Sequence, residues 1–498
     1  MGIIKKQAIG FSIVNYLGVG IGSISTIFLY PRDEKAYGLF RFLLDSANLI
    51  QPFAMLGAWY IGVRMFSVFK NEKNGNNGLW LLLTLMFALG SIIFAFSFSY
   101  LQPLIFPVEH MKDSTIFARY IWTIIPLFIL FGYFVLARQY ASNFLKVIVP
   151  SFLDQLIKIS FPIIFILYLS KLIDLDGLVI GVLLHFALMV ILSLGYLSKI
   201  KALSWTIPRR NFLTKNQWRS LAGFAFYGAI GSGSSMLALR LDTFMISMIM
   251  GDLHDTGRFG IASLIGSNIA VPLTAIAAIS APIIAKAWND NNLEEIQKLY
   301  QKSSENLLWV GLFLFGLVIL CIHDLFALMP ARNHDHIAEI IVVYIVGLKS
   351  VIDMATGSND IIIAYSKKYN FNLLAIVLMS ILNIFGNILL IPRLGIIGAA
   401  LSTFISSLCF NLIKFYFIQI NFKMMPYTIN TVKIIGINLL MILMCLLIPT
   451  LGNPYLNIAF KSTLFGGLVV AFSLYFDVSE DITFVKQQII AKIRGYVN

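Results

Sequence analysis

From Leu79 to Leu101 the chain carries no charged side chain, and apolar runs of similar length recur along nearly its whole length. A helix needs about 20 mostly apolar residues to cross the hydrocarbon core of a bilayer. Within lipid every backbone N–H and C=O must be paired inside the segment, which favours helix over irregular chain. Membrane barrels show short alternating strands, whereas these runs are continuous. Composition agrees. Of 498 residues 58% are apolar and 12% charged, where a soluble protein carries about 25% charge. The mean hydropathy is +0.84. The expected fold class is an all-α polytopic membrane protein.

Spans are predicted near residues 9–29, 39–61, 79–101, 117–137, 144–170, 178–198, 220–250, 258–285, 306–328, 338–361, 371–391, 395–420, 430–449 and 455–476, about 14 transmembrane helices. Spans five, seven and eight exceed a straight crossing, so they should tilt, bend or project into water. The N-terminal apolar stretch lacks a small-residue cleavage site and reads as a retained anchor.

Lys and Arg are retained on the cytoplasmic side of a membrane. With the N-terminus inside, 24 of the 37 Lys and Arg, Lys414 among them, fall in cytoplasmic segments, 8 on the opposite side and 5 within spans. That bias predicts cytoplasmic N- and C-termini. The net charge of +13 is then a topology and membrane-surface signal rather than a sign of nucleic-acid binding.

The longest connection holds six basic residues and divides the spans. Internal echoes flank it. Tyr16-Leu-Gly-Val-Gly-Ile-Gly-Ser23 resembles Tyr227-Gly-Ala-Ile-Gly-Ser-Gly-Ser234, and Tyr37-Gly38 resembles Phe259-Gly260. Repeated halves around a central site are a common transporter plan. The predicted organisation is a six-helix bundle (1–198), a basic cytoplasmic linker (199–219) and a second six-helix bundle (220–420). Two extra helices (421–476) and a cytoplasmic tail (477–498) follow. In the tail, Ile482, Val485, Ile489 and Ile493 fall on one helical face, the pattern of an amphipathic helix on the membrane surface.

A charge at membrane depth costs at least about 2.5–3.5 kcal/mol, so each needs a reason. Opposite charges stand four residues apart in Arg41 with Asp45, Asp154 with Lys158, and Lys349 with Asp353, a spacing that stacks both on one helix face. Arg240 and Asp242 lie in span seven, Asp360 ends span ten, and His185 sits in span six. One reading is a polar cavity between the bundles. There Arg41, Arg240, Lys158 and Lys349 would bind an anionic head group, and Asp45, Asp242, Asp154, Asp353 and Asp360 would exchange protons or sodium. The other is that paired charges neutralise one another so that a helix can insert or pack.

The Gly-Ser run from Gly228 to Ser235 suits close helix packing. Asn15, Asn48, Asn268, Asn383 and Asn387 suit interhelical hydrogen bonds, and Pro52, Pro126, Pro162, Pro272 and Pro282 suit kinks. His334-Asp335-His336 is a loop cluster of a kind that seldom binds metal. The three cysteines, Cys321, Cys409 and Cys445, lie in apolar runs without metal spacing. H-E-x-x-H, Walker, G-x-S-x-G and C-x-x-C patterns are absent from the sequence. No cofactor and no enzymatic centre are implied, and transport would draw on ion gradients or on substrate supply.

From these residues the chain resembles the polysaccharide-export branch of the MOP superfamily, the O-antigen flippases and their relatives. The strongest match is Leu382-Asn-Ile-Phe-Gly-Asn-Ile-Leu-Leu-Ile-Pro-Arg-Leu-Gly-Ile-Ile-Gly-Ala-Ala-Leu-Ser-Thr403, similar to the family's eleventh and twelfth helices joined by a Pro-x-x-Gly turn. Asp242-Thr-Phe-Met-Ile with Phe259-Gly260, and Ala281-Pro-Ile-Ile-Ala-Lys-Ala-Trp288, extend it. The resemblance implies an alternating-access flippase in a bacterial inner membrane. Its cargo would be an undecaprenyl-pyrophosphate-linked oligosaccharide, moved from the cytoplasmic to the periplasmic leaflet for lipopolysaccharide or surface-polysaccharide synthesis. Membrane lipid, and possible polymerase and chain-length proteins of the same pathway, would be its partners. The family cavity is cationic, which fits Arg41 and Arg240. The first helix has only Asn15 where the drug-exporting MATE branch carries a carboxylate, and the cavity arginines of the lipid II flippases are denser. A cation-coupled exporter is the alternative. A membrane polysaccharide polymerase or ligase fits less well, since the outward loops reach only about fifteen residues.

Overall fold

The computed structural model describes residues 17–70, 76–105, 109, 111–144, 148–207, 214–330, 336–481, 483–484 and 486–488. Among these there is helix and no strand. A helix over 17–28 (α1) is followed by α2 (Glu34–Ala54), α3 (Ala58–Arg64), α4 (Phe66–Phe69), α5 (Leu79–Ile105), α6 (Ser114–Tyr120), α7 (Ile124–Ser142), α8 (Ile148–Gln155), α9 (Ile157–Leu169) and α10 (Leu175–Lys199). Then come α11 (Lys215–Met250), α12 (Leu253–Ser267), α13 (Val271–Asn289), α14 (Leu293–Leu328), α15 (Ile337–Ala355), α16 (Asn359–Tyr365), α17 (Asn370–Leu394), α18 (Ile396–Phe422), α19 (Ile429–Leu446) and α20 (Pro454–Tyr475).

Ten helices among the described residues are long and apolar enough to cross a membrane. The chain is a multi-pass membrane protein. Along α5, Leu85, Leu89, Ile92 and Phe96 form one exposed apolar stripe, the face a spanning helix turns to lipid. Span one lies partly outside the described residues, and α2, α11 and α15 are not among the ten. Those three carry Arg41, Asp45, Arg240, Asp242, Lys349 and Asp353. Each of the three thus carries a cation and a carboxylate within its length.

Several predicted spans are broken. Span two stops at Ala54, where Pro52 withholds the N–H that would bond Asn48, and the chain turns through Leu56 (φ 46°) and Gly57 (φ 74°). Span ten divides between α15 and α16 at Gly357 (φ 58°). Span eight bends through a short 3-10 turn at Asn268–Ala270, with Pro272 opening α13. Span five breaks at Leu156, between α8 and α9. Span seven is one unbroken helix, with Thr214 and Gln217 capping its start and Gly251 (φ 63°) ending it.

The chain forms two compact units, Met1–Ile261 with Asn387–Ala399, and Ala262–Gly386 with Ala400–Asn498. In the first, α2 packs on α11, α7 and α5. Glycines set the approach. A Cβ on Gly38 would land on the Leu253 carbonyl, one on Gly257 would meet the Glu34 carbonyl, and Gly228 and Gly233 of α11 face the rings of Tyr60 and Phe53. The Gly-Ser run therefore serves close packing.

In the second unit α14 packs on α15, α19, α20 and α13. Its core is aliphatic and aromatic, including Leu307, Met354, Met441 and Phe465. Past α20, Asp481 is held by Lys302 at 2.6 Å and Asn306 at 2.6 Å. The expected tail stripe of Ile482, Val485, Ile489 and Ile493 lies outside the described residues.

Candidate functional site

Arg41 and Asp45 sit one turn apart on α2, and the expected pair forms at 2.9 Å. The other oxygen of Asp45 faces Arg240 of α11 at 3.3 Å. The sequence spacing gave no sign of this cross-helix contact, because Arg240 has Asp242 as its nearest acid in the chain. The Asp45 side chain is 0% exposed, while those of Arg41 and Arg240 are 13% and 38% exposed. Gly260 makes room for Arg41, since a Cβ there would stand 3.3 Å from its Cγ. Tyr37, one turn earlier, stacks on Tyr30 at 4.3 Å and walls the site from the apolar side.

Two guanidinium groups thus share one carboxylate. Their Nε atoms are buried without a hydrogen-bond partner. A planar guanidinium presents donors in a fork that matches phosphate and carboxylate oxygens. The arrangement can hold an anion, and its excess charge favours one.

Asp242 lies one turn before Ile246 on α11 and accepts a hydrogen bond from Asn387 Nδ2 at 2.9 Å. Asn383 donates to Thr403 at 2.7 Å, joining α17 to α18 around the turn that Gly395 (φ 58°) makes.

The Asp154–Lys158 pairing expected from the sequence does not form. Asp154 pairs instead with Arg138 of α7 at 2.6 Å. The break at Leu156 places the two residues on different helices, and Pro162 denies the Lys158 carbonyl its helical partner. Lys158 is half-buried on α9, its stem facing Gly22 of α1.

The second unit holds the other predicted residues. Lys349 and Asp353 form their one-turn pair at 2.9 Å. Ser407 and Asn411 of α18 donate to the remaining Asp353 oxygen at 2.8 and 2.7 Å. That carboxylate is fully satisfied, the signature of a packing network. Asp360 pairs with Lys414. Lys414, counted with the cytoplasmic cations, instead has a fully buried side chain on α18, with its ammonium 4.2 Å from the Phe410 ring centroid. Lys414 lies more than two turns inside the helix that ends at Phe422, too deep for a loop cation.

His185 is buried and shares a 2.8 Å hydrogen bond with Ser160. His334 and Asp335 lie outside the described residues, and His336 stands 3.5 Å from Glu339. Among the described residues no group of three His, Cys, Asp or Glu could hold a metal.

At the end of α11, Lys112 reaches Asp252 at 3.2 Å. That hydrogen bond lifts the Lys112 ammonium above its ordinary range. Burial pushes the Asp252 carboxyl up, but Lys112 and the backbone N–H groups of His254 and Asp255 outweigh it and hold the carboxyl low. Close by, His254 pairs with Glu34 at 2.9 Å, and Lys35 pairs with Asp113.

No protein-family model matches the sequence, and no curated protein matches it. Solved structures do. The lipid II flippase MurJ, in an inward closed conformation, superposes with a TM-score of 0.70 at 17% identity, covering 94% of this chain and 98% of that one. An inward-facing multidrug resistance MATE transporter of the MOP superfamily gives 0.65 at 10% identity, covering 83% and 94%. The chain has the fold of the MOP-superfamily transporters. A third such protein, from Pyrococcus furiosus, gives 0.55 at 12% identity over 84% and 95% of the two chains. At these identities the likeness is one of fold, and the neighbours named are transporters rather than enzymes.

Proposed function

We propose that the chain is a flippase for a lipid-linked oligosaccharide, with an undecaprenyl-pyrophosphate carrier, moving its cargo from the cytoplasmic to the periplasmic leaflet by alternating access for surface-polysaccharide synthesis. The observation that carries the reading is the Arg41–Asp45–Arg240 group: two guanidinium groups against one carboxylate, with both Nε donors unpartnered. Such a group suits a diphosphate, which can accept several charge-assisted hydrogen bonds at once. The fold shared with MurJ supports the transport class. In this reading Arg41 and Arg240 bind the head group and Lys158 and Lys349 assist. Asp242, held by Asn387, is the carboxylate best placed on α11 for ion coupling, ahead of Asp154, Asp353 and Asp360. The protein sits in the inner membrane with both termini cytoplasmic, beside polymerase and chain-length proteins.

The fold shared with MATE transporters favours a second reading, a cation-coupled exporter. Expression in a flippase-null strain separates them. Restored surface polysaccharide supports the first. Good expression with dye efflux and no polymer replaces it with the second.

A further inference from the structure

Between the end of α2 and the middle of α11 an open cleft of about 90 Å³ lies within the first unit. Gln51, Trp59, Arg138 and Ser232 supply its polar and aromatic lining, and Val135 and Met236 its apolar floor. Gln51 is six residues past Asp45 and Ser232 eight before Arg240. At 1.5 Å rise per residue the cleft is roughly 10 Å along the helices from the arginine group.

The chemistry of this lining differs from that of the arginines. Arg138 is already paired with Asp154 at 2.6 Å, so it offers donors with its charge offset. Gln51 is 4% exposed, yet its amide donates to the Met55 thioether at 2.9 Å. A thioether is a weak acceptor, and a buried amide so poorly used keeps hydrogen-bonding capacity for a ligand. Trp59 is 37% exposed and presents a broad apolar face with one N–H. A flat aromatic face, an under-used amide and an offset guanidinium suit a ring that is apolar on its faces and hydroxylated at its edge.

We infer that this cleft is a saccharide subsite, in which a sugar ring stacks on Trp59 while its hydroxyls pair with Gln51 and Arg138. It rests on the reading above and adds to it: the diphosphate lies at Arg41 and Arg240, and the adjoining sugar lies in the cleft. Ligand sites of this kind combine an apolar lining with a few placed polar groups.

The full chain in lipid nanodiscs is titrated by calorimetry with N-acetylglucosamine, glucose and, as a ringless control, mannitol. Saturable heat from at least one ring sugar and none from mannitol is expected. Trp59→Leu should abolish it or weaken it severalfold, and Gln51→Ala should weaken it about fivefold, the loss of one hydrogen bond. Trp59→Tyr keeps a stacking face and should retain part of the binding, which keeps the test open if Trp59→Leu fails to fold. Absent sugar heat, equal heat from mannitol, or heat unchanged in both Trp59 variants overturns the subsite. Inorganic pyrophosphate titrated into the unmutated chain tests the arginine group separately. Pyrophosphate binding without sugar binding removes the subsite and leaves the proposed function standing, whereas sugar binding alone does the reverse.

Discussion

Arg240 of α11 reaches Asp45 of α2 at 3.3 Å, and Asp45 has no exposed surface of its own. The carboxylate is therefore the counter-charge on which two cations from two helices depend. Removing it leaves both uncompensated. Asp45→Ala should lower stability by about 3 kcal/mol, the range for breaking a buried ion pair, and thermal melting in detergent measures it. Arg240→Ala should keep the fold, since Arg41 remains paired at 2.9 Å, and should lose surface-polymer restoration. Full restoration by Arg240→Ala removes Arg240 from the site.

The α2–α12 crossing depends on two glycines facing backbone. Gly38→Ala and Gly257→Ala should each destabilise by about 1–3 kcal/mol, because a methyl group must displace the Leu253 or Glu34 carbonyl region. Gly436→Ala, where a Cβ meets nothing within 4 Å, is the control and should leave the melting temperature within a degree or two.

Lys414 and Asp360 predict an asymmetry. Lys414 is fully buried, whereas the Asp360 side chain is 64% exposed. Lys414→Met frees a carboxylate that water can solvate, so stability should hold or rise. Asp360→Asn leaves a buried ammonium with only Asp353, which Lys349 already holds, and should cost about 2 kcal/mol or more. Equal losses from the two variants contradict this account.

Asp481 predicts acid sensitivity at the end of the chain. Burial pushes its carboxyl up, but the hydrogen bonds from Lys302 and Asn306 outweigh burial and hold it below its usual value. A lowered carboxyl contributes stability that is present above about pH 4 and is lost as pH falls through the depressed value. Limited proteolysis after α20 should therefore accelerate below that pH, and Asp481→Asn should show the fast rate at neutral pH.

The helical class was legible because apolar run length alone decides it. So were Arg41–Asp45 and Lys349–Asp353, since helical stacking is a local rule. Asp154–Lys158 obeyed the same rule on paper and failed because a break at Leu156 interrupts the helix that the rule assumes. Arg240–Asp45 was hidden for the opposite reason, being made by the crossing of two helices far apart in the chain. Lys414 was misplaced because a charge count treats any cation near a predicted helix end as interfacial. The cleft by Trp59 was also out of reach, for it depends on where Gly57 turns the chain after α2.

Two guanidinium groups sharing one carboxylate leave the empty Arg41–Asp45–Arg240 group with one unspent positive charge. A bound diphosphate would reverse that sign. A charge moved through the full membrane potential exchanges about 2.3 kcal/mol per 100 mV. If the group shifts within that field during transport, voltage would drive its loaded and empty movements in opposite directions, so the resting potential would bias the turnover cycle even without a coupling ion.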